Sequence, residues 1–119
     1  LSAVLFTHAH KDHVAGLDDV RPFNFIQKKH IDVYAEEKVQ QVLRQEFAYI
    51  FSENKYPGIP KINMHLLKNE STHIEGVKFT PIRAMHHKLP VFGFRAGEFA
   101  YITDANKIPD EEMLKIKDI

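Results

Sequence analysis

The sequence predicts an α/β fold, on three observations. A short apolar run, Ala3-Val4-Leu5-Phe6, ends at a polar, histidine-rich segment, as a buried strand ends at its loop. Residues 36–51 carry Val39, Val42, Leu43, Phe47, Ile50 and Phe51 at the i, i+3, i+4 spacing of one helix face. Beyond residue 60 the chain turns to short β-type runs punctuated by Gly76, Pro90 and Gly97. The 119 residues suit a single domain, residues 1–119.

The elements follow in order. Residues 3–6 form the first strand. Gly16 breaks the next stretch, and residues 17–20 form a short helix before Arg21-Pro22. Ile31-Asp32-Val33-Tyr34-Ala35 alternates and is rich in β-branched side chains, so it reads as a strand. The helix over 36–51 opens with Glu36 and Glu37, where the helix dipole favours acids. Residues 54–60, with Tyr56-Pro57-Gly58 and Pro60, end it. Strands are expected over 62–67, 77–84, 91–95 and 99–103, with Ala96-Gly97-Glu98 as a tight hairpin between the last two. Pro109-Asp110-Glu111-Glu112 marks a final helix start. The pattern is α/β with hairpins rather than a regular βαβ repeat.

Composition excludes several function classes. Sixteen basic residues balance sixteen acidic ones, so no global charge draws the chain to nucleic acid or an anionic membrane. There is no cysteine, hence no disulfide, thiolate zinc site or cysteine nucleophile. That fits a reducing compartment, and a cytoplasmic location is expected. No apolar run approaches the roughly 20 residues of a membrane span. The first residues lack the basic leader and cleavage site of a signal peptide.

Histidine is the outlier. Of eight, His8, His10 and His13 fall within six residues, and His86 and His87 are adjacent. His8, His10, Asp12 and His13 share one segment directly after a strand, where side chains can converge. Imidazole and carboxylate suit zinc, manganese or iron. Crowding four ionisable groups without a cation is costly, and a metal makes the cluster tolerable. The competing reading is a histidine-rich surface loop. His30, His65 and His73 stand outside any motif and read as surface or half-buried polar residues.

The segment Thr7-His8-Ala9-His10-Lys11-Asp12-His13 after a short apolar strand resembles the signature of the metallo-β-lactamase superfamily. Residues 15–24, 85–95 and 99–104 resemble later motifs of the branch containing phosphoribosyl cyclic phosphate phosphodiesterase. The resemblance implies an αββα sandwich of two sheets and a pair of divalent metal ions, zinc or manganese. It also implies roles. His8, His10 and a later His, either His86 or His87, hold one ion. Asp12 and His13 hold the second, and Asp104 bridges them. His86 is the favoured later ligand, because relatives commonly have Gly after this His and His87 stands there. Asp104 also fits a helix cap or turn. Asp12 is a metal ligand or a catalytic general base, orienting or deprotonating the attacking water. His87 and Lys88 are candidate substrate contacts; Arg21 and Arg95 are weaker phosphate candidates.

Two parts of the family pattern find no match: the strands before the first motif and a further His after Asp104. The chain is therefore expected to be an incomplete piece of a longer enzyme, a natural short form being the alternative. Incomplete sheets leave strand edges that invite pairing, so a homodimer or strand-exchanged oligomer is expected, with weak or single-metal binding. The function expected is a metal-dependent hydrolase of a small phosphodiester. The alternatives are a nuclease resembling the tRNA 3′-processing enzymes, which neutral charge disfavours, and a catalytically silent metal-binding module.

Overall fold

A computed structural model describes residues 1–53 and 57–118, which form two compact units, residues 1–67 and 68–119. No helix among the described residues is long and apolar enough to cross a membrane.

The first unit is a parallel sheet with helical crossovers. Strands β1 (Ala3–Leu5), β2 (Ile31–Ala35) and β3 (Ile62–Leu66) lie in the order β1-β2-β3. Val4 pairs with Val33, and Val33 with Met64. Between β1 and β2 the chain is helical nearly throughout: α1 (Lys11–Val14), a 3-10 segment (Ala15–Val20) and α2 (Arg21–Gln27). Parallel strands require such a crossover connection, and the helix here runs well beyond the short one expected over 17–20. Helices α3 (Glu37–Glu46) and α4 (Ala48–Phe51) fill the second crossover. The expected single helix over 36–51 breaks at Phe47, whose backbone leaves the helical region (φ −121°, ψ 44°). Of the expected break over 54–60, residues 54–56 lie outside the described residues, and 57–58 form a turn.

Strand β2 explains the layering. Ile31, Val33 and Ala35 are fully buried and meet Val14, Leu17, Val20, Val39, Leu43 and Ile50 in one apolar core. Each such large side chain contributes about 1.5–3 kcal/mol by burial. The alternate residues Asp32 and Tyr34 take the other face with Asn63 and His65. His65 Nε2 lies 2.9 Å from Asp32 Oδ1, and the His65 ring stacks on Tyr34 at 4.6 Å. His65, with help from Asn63, holds the Asp32 carboxyl below its ordinary range despite partial burial. His65 is thus a half-buried partner of an acid, as its lack of motif context suggested.

The second unit is an antiparallel meander of β4 (Thr72–Ile74), β5 (Val77–His86), β6 (Leu89–Ala96) and β7 (Phe99–Tyr101). Strand β4 was not expected. It pairs with β5 through a turn at Glu75 and Gly76, both with positive φ (51° and 78°). The expected hairpin at 96–98 is present, with Ala96 paired to Phe99 around Gly97 (φ 60°). Pro90 does not interrupt β6; it pairs with Met85 beside the β5–β6 turn.

Helix α5 (Asp110–Met113) starts after Pro109, as expected. It is pinned to β5 by the buried Glu112, whose Oε1 accepts the Arg83 backbone N–H at 2.6 Å and Asn69 Nδ2 at 3.0 Å. Lys115 Nζ donates to the Glu112 carboxylate at 2.7 Å and to the Pro81 carbonyl at 2.9 Å. Burial pushes the Glu112 carboxyl up. The Lys115, Arg83 and Asn69 hydrogen bonds outweigh it and hold the group below its ordinary value.

Candidate metal centre

The histidine segment leaves the carboxyl end of β1, the end of a parallel sheet where ligands gather in α/β proteins. Phe6 N–H donates to the Tyr34 carbonyl at 2.9 Å and extends the β1–β2 pairing by one residue. The chain then turns away. Phe6, Thr7 and His8 are buried, while His10 and Asp12 are exposed and His13 is intermediate.

A short helix closes the cluster. His10 is the extended N-cap of α1, and its carbonyl accepts the His13 N–H at 2.9 Å. The turn brings the rings back on each other: the His8 centroid lies 4.9 Å from that of His10 and 4.2 Å from that of His13. Asp12 Oδ2 lies 3.5 Å from His13 Nε2. Sequence reasoning had Asp12 and His13 in a loop. One helical turn does the work because residues a turn apart face the same side.

The donor chemistry fits a divalent ion. Three imidazoles and a carboxylate are the nitrogen and oxygen ligands of zinc or manganese. A His8 and a His10 nitrogen approach within 4.8 Å. Two nitrogens at about 2.1 Å from one zinc span up to roughly 4 Å, so only a small side-chain rotation separates the two arrangements. His8 Nδ1 lies 2.9 Å from Thr7 Oγ1. A partner on one ring nitrogen orients the ring, and where Nδ1–H donates to the Thr7 hydroxyl, Nε2 is left as the coordinating atom. Thr7 was quoted in the motif but given no role; its signal was a hydroxyl next to a ligand histidine.

The remaining candidates lie in the second unit. His86 is the last residue of β5 and pairs with Leu89, so His87 and Lys88 form a two-residue turn. His87 has φ 57°, the left-handed conformation that glycine adopts without cost. This matches the glycine expected there in relatives, and it leaves His86 on the strand. His87 and Lys88 are exposed and His86 is half-buried.

Asp104 is exposed and also left-handed, φ 56°, a conformation Asp tolerates better than most residues. Thr103 Oγ1 donates to its Oδ1 at 3.2 Å. Asp104 does not cap α5, whose N-cap is Pro109.

Asn106, which sequence reasoning passed over, ties these two places together. Its Oδ1 accepts the His87 N–H at 2.7 Å, and its N–H donates to the Met85 carbonyl at 2.9 Å. Met85 and Lys107 form a further bridge. Gly93 matters for the same loop. A Cβ there would meet Ile102 Cγ1 at 2.7 Å and the Tyr101 carbonyl oxygen at 2.8 Å, just before Asp104.

The weaker phosphate candidates are engaged structurally. Arg95 donates to the carbonyls of Gly97, Lys115 and Lys117. Arg21 pairs with Asp18, which also accepts the Tyr49 hydroxyl at 2.6 Å. Tyr49, then Arg21, hold the Asp18 carboxyl below its ordinary range against the opposing effect of burial.

Comparison with known proteins gives one family and relatives whose names differ. The family model described as "Beta-lactamase superfamily domain" matches residues 1–119. The chain is 38% identical over 118 residues to a Porphyromonas gingivalis (strain ATCC BAA-308 / W83) protein named "Octanoyltransferase", covering 98% of this chain and 24% of that protein. A crystal structure described as a new diphosphatase from the PhnP family matches with a TM-score of 0.88 and 35% identity, over 100% of this chain and 44% of that one. The chain therefore spans about a quarter of the curated relative and less than half of the solved one.

Proposed function

The chain belongs to the beta-lactamase superfamily, whose family model it matches along residues 1–119, and we propose that it carries the metal-binding core of a hydrolase acting on a small phosphodiester. The observation that carries this reading is the packing of His8, His10 and His13 at the end of β1, with Asp12 beside His13 and Thr7 on His8. The diphosphatase description of the solved relative supports hydrolysis at phosphorus. The transferase name belongs to a protein of which this chain matches 24%, and nothing in the His/Asp cluster favours acyl transfer.

The residues divide the work as follows. His8 and His10 would hold one divalent ion, zinc or manganese, and Asp12 and His13 a second; the family resemblance would add His86 to the first and Asp104 to both. The ions, when bound, supply Lewis-acid polarisation of the phosphoryl group and lower the pKa of water toward about 7. Thr7 orients the His8 ring. Asp12 orients the attacking water or takes its proton. Lys88 and His87, on the exposed β5–β6 turn, contact phosphate oxygens. The first ion has more ligands from this chain than the second, so it binds more tightly. The lack of cysteine favours a cytoplasmic setting.

The test is hydrolysis of bis-p-nitrophenyl phosphate with added zinc or manganese, for the protein and for His10→Ala. Hydrolysis by the parent and near-background rates for the variant are expected. Equal rates would remove the cluster from catalysis. Metal binding without hydrolysis would leave a silent metal-binding module.

A further inference from the structure

A cleft lined by basic residues lies at the end of the first sheet opposite the histidine cluster. It measures about 480 Å³ and is lined in part by Asn24, Phe25, Lys28, Lys29, His30 and Lys61. Its volume falls within the roughly 300–1,000 Å³ of small-molecule sites. No Asp or Glu lines it among the described residues. In a chain of balanced charge, that is a local concentration of positive groups.

The cleft is separate from the metal cluster. His30 and Lys61 directly precede the parallel strands β2 and β3, whereas His8 follows β1. The two places therefore sit at opposite ends of the sheet, roughly 15 Å apart at about 3.3 Å per residue.

The segments that carry the basic residues are held at their backbones. Asn24 Nδ2 donates to the carbonyls of Lys29 at 3.0 Å and Lys61 at 2.9 Å, and its Oδ1 accepts the Lys61 N–H at 2.9 Å. One side chain thus clamps two lysine-bearing segments side by side. Lys28 ends α2 in the left-handed conformation (φ 53°, ψ 41°) and turns the chain toward β2. Such pre-ordering lowers the cost of binding.

Phe25 supplies the second half of the chemistry. It lines the same cleft and is 68% exposed, so its ring is accessible to an occupant. Clustered ammonium groups recognise phosphate oxygens, and an accessible aromatic face stacks on a planar base. We propose that this cleft binds a nucleotide, with its phosphates on Lys28, Lys29 and Lys61 and its base on Phe25. The proposal does not depend on the hydrolase reading.

The test is NMR titration of the full chain with ADP, ribose 5-phosphate and a short oligoadenylate. ADP is expected to shift the amides of residues 24–30 and 61 saturably, and ribose 5-phosphate to bind more weakly. Lys29→Glu with Lys61→Glu weakens ADP by about tenfold or more at those amides. Phe25→Ala weakens ADP by about fivefold or more, the loss of one base stack of about 1–3 kcal/mol, and leaves ribose 5-phosphate unchanged. Both variants keep the parent's rate on bis-p-nitrophenyl phosphate. An oligoadenylate that binds the cleft far more tightly than ADP assigns the nucleotide to a strand rather than a free molecule. Absence of shifts up to millimolar ADP, shifts confined to residues 7–13, or shifts indifferent to charge reversal would overturn the proposal.

Discussion

Thr7 shows how much a single hydroxyl can decide. It sits 2.9 Å from His8 Nδ1, and His8 is buried. Thr7→Val keeps the shape and removes the hydrogen bond. Metal affinity is expected to fall at least about tenfold, with Thr7→Ser retaining most of it. Competition with a chromophoric chelator measures this, and equal affinity for Thr7→Val would remove the assigned role.

Glu112 acts on stability instead. Its carboxylate meets Arg83 N–H, Asn69 and Lys115 in a buried position. Glu112→Ala leaves Lys115 without its acid and is expected to cost roughly 3 kcal/mol in urea unfolding. The folded carboxyl titrates below its ordinary value of 4.5. Its contribution is therefore complete above about that pH and is lost as pH falls through the folded value. The stability difference between protein and variant should shrink on acidification; a difference that grows there would contradict this account.

At the scale of elements, Gly93 and Asn106 control the approach to Asp104. Gly93 leaves room for Tyr101 and Ile102, and an added methyl meets backbone as well as side chain. Gly93→Ala is expected to destabilise by about 1–3 kcal/mol through overpacking. It should also lower metal affinity, because the strand leading to Asp104 must shift. An unchanged metal titration in a folded Gly93→Ala protein would sever that link.

Legibility in the sequence varied between elements for physical reasons. Strand β2 matched its expected bounds because its alternation coincides with its burial, Ile31, Val33 and Ala35 inward. The histidine cluster was legible because its donors are contiguous in the chain. Helix α1 has four residues, too few to show a period. Helix α2 has Pro22 in its first turn and buries none of its residues, so it carries no apolar stripe. The break at Phe47 was hidden because apolar spacing continues across it. Asn106 gave no signal, since its work is done on backbone atoms nineteen residues away.

For the molecule as a whole, the two sheets leave edges. Strand β7 is at the edge of its sheet, with Phe99 65% and Tyr101 52% exposed. We expect this edge to pair with another copy, as exposed apolar edges do. Light scattering should give a dimer mass that falls toward the monomer in Phe99→Lys; a monodisperse parent monomer would contradict the expectation. The central claim is narrower and more direct: His8, His10, Asp12 and His13 form a divalent metal site. Elemental analysis of the purified protein after dialysis tests it, beside His8→Ala and His10→Ala. The account predicts about one to two equivalents of zinc or manganese in the parent and a clear loss in both variants. Metal content no higher in the folded parent than in the variants would contradict it.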